Sequence, residues 1–165
     1  MMITPVTSKD EIAAVAALAH EIWNQHFTPI IGEAQVSYML DKFQSAVAIT
    51  RQIADGAEYY QITCGKHAAG YFCLVPEADA GTLLISKLYV RRADRGRGLG
   101  RQALTFVQRR ARELGLSKLR LTVNRHNARS IDWYRHVGFK ITGTQKKDIG
   151  DGFVMDDFLM EKAVS

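Results

Sequence analysis

Polar and apolar positions along this chain change period several times, and each change marks an element. Ile12, Val15, Ala16, Ala19, Ile22 and Trp23 recur at helical spacing after Ser8, which precedes Glu11 by three residues in a capping-box arrangement. A helix is therefore predicted from Ser8 onward, with "MITPVT" (2–7) as a short strand before it and "TPIIG" (28–32) breaking it. Helical segments follow over about Glu33–Phe43 and Ser45–Ala54. From Glu58 to Cys64 the pattern turns strand-like; Gly65-Lys66 supplies a turn, and "HAAGYFCLVP" (67–76) returns as a second strand. "TLLISKLYV" (82–90) is a third, strongly apolar strand. Leu99, Ala103, Phe106, Val107, Ala111 and Leu114 then share one helical face, closed by Gly115. "KLRLTV" (118–123) is β-rich, and "NARSIDWYRHV" (127–137) is helical up to Gly138. Two strand-like runs, "FKITGTQKKDI" (139–149) and "FVMDDFLME" (153–161), are joined by the turn signal "GDG". The expected class is α+β: a central mixed, mostly antiparallel sheet of about six or seven strands flanked by helices. No repeat or linker interrupts the pattern, so residues 1–165 are expected to form one domain.

Composition narrows the class. With 165 residues, 47% hydrophobic and 24% charged, the chain can bury a core of its own. No apolar run reaches the ~20 residues of a membrane span, and the N-terminus lacks the basic start of a signal peptide. Cys64 and Cys73 lie on adjacent strands but not opposite each other, so free buried thiols and a cytoplasmic setting are expected. No Cys/His spacing suggests a metal; His126 and His136 have no nearby partner. The net charge of +5 is uneven. Eight arginines and a single acid, Asp94, lie between Arg91 and Arg112, whereas the tail carries Asp148, Asp151, Asp156, Asp157 and Glu161. A basic site for an anion and an acidic one for a cation are the corresponding expectations.

The arginine run contains "RGRGLGR" (95–101), directly between the apolar strand and an amphipathic helix. A helix start offers unpaired amides and the positive end of a dipole, and glycines allow close approach, so this is a place for phosphates. The dinucleotide fingerprint fails because Arg101 stands where the third glycine belongs; the P-loop fails because Gly100 is followed by Arg101-Gln102. What remains is Arg95-x-x-Gly98-x-Gly100 after "LYV". This resembles the acyl-CoA signature of the GNAT acetyltransferase superfamily. "LRLTVNRHNARSIDWYRHVGF" (119–139), with Asn127, Ala128, Tyr134, Gly138 and Phe139, is similar to that superfamily's second signature. Arg92 departs from a proline common in relatives, and Lys87 from an acidic or polar residue that relatives place on this strand.

The resemblance implies an acetyl-CoA-dependent N-acetyltransferase that passes an acetyl group from the thioester directly to a primary amine. It implies acetyl-CoA as co-substrate, cradled at the pyrophosphate by Arg95, Gly96, Arg97, Gly98, Leu99, Gly100 and Arg101. Main chain at a bulge near Leu88, Tyr89 and Val90 would bind the thioester oxygen. Asn127 would hydrogen-bond the pantetheine arm or a relay water, and Tyr134 would act as general acid. For the base, Asp157 and Asp156 come first, with Glu21, Glu33, His26 and Tyr89 as alternatives. The terminal segment "DIGDGFVMDDFLMEK" looks like that of bacterial polyamine-type members, and a polycationic amine is one acceptor; protein N-termini, amino acids and aminoglycosides stay open. A homodimer is the assembly expected by analogy.

Blander readings stand beside these. Arg109, Arg110 and Arg112 fit a solvated helix face. Tyr134 could be a core aromatic with a satisfied hydroxyl, and Asn127 a helix cap. Asp156 and Asp157 are neighbours on a strand, so only one can face a site. Trp23 and Trp133 are expected to pack, and His26, His126 and His136 to lie at the surface. Two rivals remain. One is a basic nucleic-acid-binding module, disfavoured because no aromatics interleave with the basic run. The other is a non-catalytic acyl-CoA sensor of the same fold.

Overall fold

The computed structural model describes residues 1–165. In chain order the elements are β1 (Met2–Pro5), α1 (Lys9–His26), α2 (Thr28–Ile31), α3 (Glu33–Phe43), α4 (Ala46–Ala54), β2 (Glu58–Cys64), β3 (His67–Glu77), β4 (Thr82–Val90), α5 (Leu99–Glu113), β5 (Lys118–Asn124), α6 (Ala128–His136), β6 (Lys140–Gly150) and β7 (Phe153–Ala163). The strands form one seven-stranded sheet in the order β1-β2-β3-β4-β5-β7-β6. Pairing of β4 with β5 is parallel; β1–β2, β2–β3, β5–β7 and β6–β7 are antiparallel. The expected α+β class, with its mixed and mostly antiparallel sheet, is the class observed.

Local chemistry explains the boundaries. Ser8 opens α1 through the anticipated capping box: Glu11 N donates to Ser8 Oγ at 3.1 Å, and Ser8 N donates to Glu11 Oε1 at 2.8 Å. Main-chain donors at Ser8 and Thr7 hold the Glu11 carboxyl down at about 2. The buried face of α1 includes Leu18 and leaves Ala16 partly exposed, a small rotation from the sequence reading. On α5, Leu104 replaces Phe106 and Leu114 on the buried side. Phe106 instead lies under the Arg109 guanidinium, 5.1 Å from its ring centroid, so its flat face is covered without entering the core. Cys73 sits opposite Tyr59, and Cys64 opposite His67, so the register itself keeps the two thiols apart.

The chain divides into two compact units interleaved in sequence. The first, Met1–Val75 with Lys87–Thr105, buries Val15, Ile22, Val36 and Ile49 of its helices and Ile62 and Phe72 of its strands; Tyr59 and Tyr71 are the sheet residues that reach Gln52 and Gln44 on the helical side. The second, Pro76–Ser86 with Phe106–Ser165, is built on Leu83, Val107, Leu119, Leu121, Phe139 and Met160. Each such side chain, fully buried, contributes about 1.5–3 kcal/mol. No helix is long and apolar enough to cross a membrane.

Candidate active site

The first unit carries the arginine-glycine loop. β4 ends at Val90, a 3-10 turn spans Arg92–Asp94, and α5 begins at Leu99. Arg95 folds back, its Nε donating to Val90 O at 3.2 Å, which anchors the loop to the strand end. Gly96 and Gly98 have φ of +81° and +76°, a conformation that side-chain-bearing residues rarely adopt. A methyl group at either would meet nothing within 4 Å, so the space in front of the loop is open. Gln102 N donates to Gly98 O at 3.0 Å and so begins the helix. The consecutive main-chain amides from Gly96 to Arg101 have no acceptor in the chain. Unsatisfied donors at a helix start suit an anion, and the exposed Arg97 and Arg101 add positive charge there.

Gly70 shapes the strand end beside this loop. A Cβ at Gly70 would collide with Tyr89 O and crowd Val90 Cα, so β3 comes this close to β4 only because residue 70 is glycine. Arg91 N donates to Ala69 O at 2.7 Å just beyond it. The Tyr89 ring packs with Trp23, Phe27 and Tyr71 at 5.6, 5.9 and 5.5 Å between centroids. Trp23 is thus a packing residue, as expected, and Tyr89's side chain is committed to this cluster.

Lys87 does not face this loop. It is 6% exposed, and its Nζ donates to Phe43 O at 2.6 Å, to Gln52 Oε1 at 2.9 Å and to the Tyr59 hydroxyl. Tyr59 OH donates in turn to Gln52 Oε1 at 2.5 Å. Burial lowers the Lys87 pKa to about 8 and raises that of Tyr59. The departure noted in the sequence is therefore a tie between the sheet and the junction of α3 with α4.

The second unit carries the remaining candidates. Asn127 is buried at the N-cap of α6, accepting from Ser130 N at 3.4 Å. Two turns further on, the Tyr134 ring packs against Trp133 and Phe139 at 5.1 and 5.5 Å. Its hydroxyl has no partner in the chain, and burial raises its pKa.

The adjacent acids on β7 part as expected. Asp156 is paired with Arg125, whose Nε donates to Oδ1 at 3.1 Å. Asp157 is 5% exposed, opposite Asn124 on β5 and Gln145 on β6, and its carboxylate receives no hydrogen bond. Burial, and then the Asp156 charge, push its pKa up to about 6. Glu21 is drawn to Arg91 Nε at 3.2 Å, and the His26 ring abuts Phe27.

Three features escaped the sequence reading: the Lys87 tie, the close approach at Gly70, and the ligation of Asp94 by His67 at 2.9 Å. Asp94 left a signal as the lone acid in a basic run, and Lys87 as a charged residue on an otherwise apolar strand.

Proteins of known structure share this fold. The structure superposes on PaiA N-acetyltransferase from Thermoplasma acidophilum, solved in complex with coenzyme A, with a TM-score of 0.80, 20% identity and 99% of each chain covered. A GCN5-related N-acetyltransferase structure from Rhodopseudomonas palustris gives 0.81, with 17% identity over 98% of this chain and 94% of that one. An uncharacterized N-acetyltransferase from the pepI 3′ region of Lactobacillus delbrueckii subsp. lactis is 27% identical, covering 98% of this chain and 96% of its own. A shorter match, 41% over 66 residues and covering 40% of this chain and 38% of the other, is to the L-methionine sulfoximine/L-methionine sulfone acetyltransferase of Pseudomonas aeruginosa. The family model described as "Acetyltransferase (GNAT) family" matches residues 16–139. That stretch runs from α1 through the glycine loop to the end of α6, and with it the chain belongs to the GNAT family of N-acetyltransferases, whose donor is acetyl-CoA.

Proposed function

We propose that residues 1–165 act as one acetyltransferase domain, in which the loop from Arg95 to Arg101 grips the diphosphate of acetyl-CoA while Tyr134 and Asp157 manage the protons of acetyl transfer to a primary amine. The observation carrying this reading is the unbroken run of unpartnered amides from Gly96 to Arg101 at the start of α5. The thioester brings an activated acetyl group; the chain's own residues bind, orient and move protons. Main chain over Leu88–Val90, where β4 ends, polarises the carbonyl. Asn127 steadies the pantetheine arm while capping α6.

Asp157 takes the proton that an ammonium with pKa near 10 must lose before it can attack. A carboxylate titrating at about 6 suits this role at neutral pH, because it is ionised and still basic. Tyr134 stays protonated throughout the physiological range and donates to the departing thiolate. The burial that makes the phenol a weaker acid would also make a thiolate beside it a stronger base.

The acceptor we propose is a small primary amine. Two tail acids meet cations within the chain: Asp156 pairs with Arg125, and Glu161 lies 3.6 Å from Lys118. A polycationic amine remains the finer form of the proposal, with the buried Asp157 and the exposed Asp151 as tail carboxylates that could attract it. Amino-acid-like amines enter through the partial likeness to the methionine sulfoximine acetyltransferase.

Thermal unfolding with and without acetyl-CoA tests the donor half; saturating ligand should raise Tm by several degrees. Thiol release against a panel of polyamines, methionine sulfone, amino acids and peptides tests the acceptor. No Tm change at millimolar acetyl-CoA would reject the donor site.

A further inference from the structure

Nothing in the main chain fastens the glycine loop between Arg95 N, which donates to Arg92 O at 3.3 Å, and Gln102 N at the start of α5. Gly96 and Gly98 nevertheless hold left-handed conformations there. Side-chain contacts reach into this stretch from Arg95, Nε to Val90 O, and from Arg97, NH1 to Asp94 Oδ1 at 3.6 Å. Asp94 is 3% exposed and ends the 3-10 turn just before Arg95. Its Oδ1 also accepts from His67 Nε2 at 2.9 Å; facing a carboxylate, that ring nitrogen carries the proton. Its Oδ2 receives no hydrogen bond, but Arg91 Nε lies 3.7 Å away, and Arg91 also reaches Glu21 on α1 at 3.2 Å. Arg92 is tied to the same helix, NH2 donating to Gln25 O at 3.0 Å.

A buried carboxylate costs several kcal/mol of desolvation. Beside a site for an anion it also adds repulsion. Neither effect helps a phosphate bind, so its value must lie in geometry. We propose that Asp94 is a positioning residue: it gathers His67, Arg91 and Arg97 around the turn and so holds the amides from Gly96 to Arg101 aimed at the donor's diphosphate. This rests on the reading of that loop as the diphosphate site. The benefit is pre-organisation, because donors already in place lose little entropy when the ligand arrives.

The experiment compares acetyl-CoA with S-acetylpantetheine, which has the same thioester and arm but no phosphate, in wild type and in Asp94→Ala, Asp94→Asn and His67→Ala. Asp94→Ala should raise KM for acetyl-CoA about tenfold with kcat nearly unchanged, equivalent to ~1.4 kcal/mol. Its kcat/KM for S-acetylpantetheine should stay within about twofold of wild type. Asp94→Asn keeps an acceptor for His67 but drops the charge, and should fall between. His67→Ala changes a half-exposed side chain and should show the same donor dependence, more weakly, even if Asp94→Ala fails to fold. Equal losses with both donors, or an unchanged KM for acetyl-CoA, would overturn the positioning role alone. A wild-type enzyme indifferent to the phosphates would overturn the loop reading and this proposal together.

Discussion

The two units bring different materials to the proposed chemistry. The first offers main chain: a run of amides whose strength as donors does not titrate. The second offers two side chains, Tyr134 and Asp157, both buried and neither hydrogen-bonded. Their properties are set by surroundings, with burial raising both pKa values and bringing Asp157 to about 6. Under the proposed function, damage to the first unit should therefore appear in donor binding, and damage to the second in turnover and its pH dependence.

The sharpest test of that division is Tyr134→Phe. Removing the proton donor should lower kcat by about 10²–10³ while leaving KM for acetyl-CoA within about twofold. A parallel loss of donor affinity, read by calorimetry with coenzyme A, would break the comparison. Gly98→Val should do the opposite. A β-branched residue cannot comfortably hold φ of +76°, so the loop must move; KM for acetyl-CoA should rise about 30-fold or more with a smaller change in kcat. Circular dichroism would confirm that the fold survives.

Asp157→Asn should cost about tenfold in kcat/KM for the amine and remove a pH limb. In wild type, activity should fall as pH drops through about 6, where the carboxylate protonates. The stability effect has the opposite sense. A carboxyl whose pKa is raised by folding contributes stability that is complete below the ordinary carboxylate range and lost as pH rises through about 6. Asp157→Asn should therefore melt a few degrees higher than wild type at pH 7.5. The smallest effect concerns Lys87→Met, outside the proposed chemistry. Burial has depressed this lysine's pKa to about 8, so its contribution to stability is present above its ordinary range and lost as pH falls through 8. Wild type should gain stability between pH 8 and 10 relative to the methionine variant, as urea midpoints would show.

The fraction of this molecule legible in its sequence follows the same division. Gly96 and Gly98 advertise a backbone requirement, and backbone requirements are local, so the turn could be read from its letters; Gly100 lies inside α5 without a positive φ. The capping box at Ser8 and Glu11 and the two-residue turn between β6 and β7 were legible for the same reason. Alternation along β7 foretold that Asp156 and Asp157 would part, though not which would be buried. The partner that Asp156 meets on the outer side, Arg125, lies 31 residues away in sequence. The Lys87 tie unites residues 43, 52, 59 and 87, and the Asp94 cluster draws on residues 67, 91 and 97. Neither has a periodic signature, because each is assembled by the sheet. The helical faces of α1 and α5 were each offset by a position or two, since Ala16 and Phe106 satisfy a spacing rule without filling the available volume.

Lys87 has one further consequence. Free lysine amines with pKa values near 8 are readily acylated by thioesters, and this one precedes the strand segment proposed to polarise such a thioester. Its nitrogen is turned into a nest of three oxygens and shielded from solvent, so self-modification by the enzyme's own donor is sterically blocked. Prolonged incubation with acetyl-CoA, followed by peptide mass mapping, should find surface lysines such as Lys146 and Lys147 tagged long before residue 87.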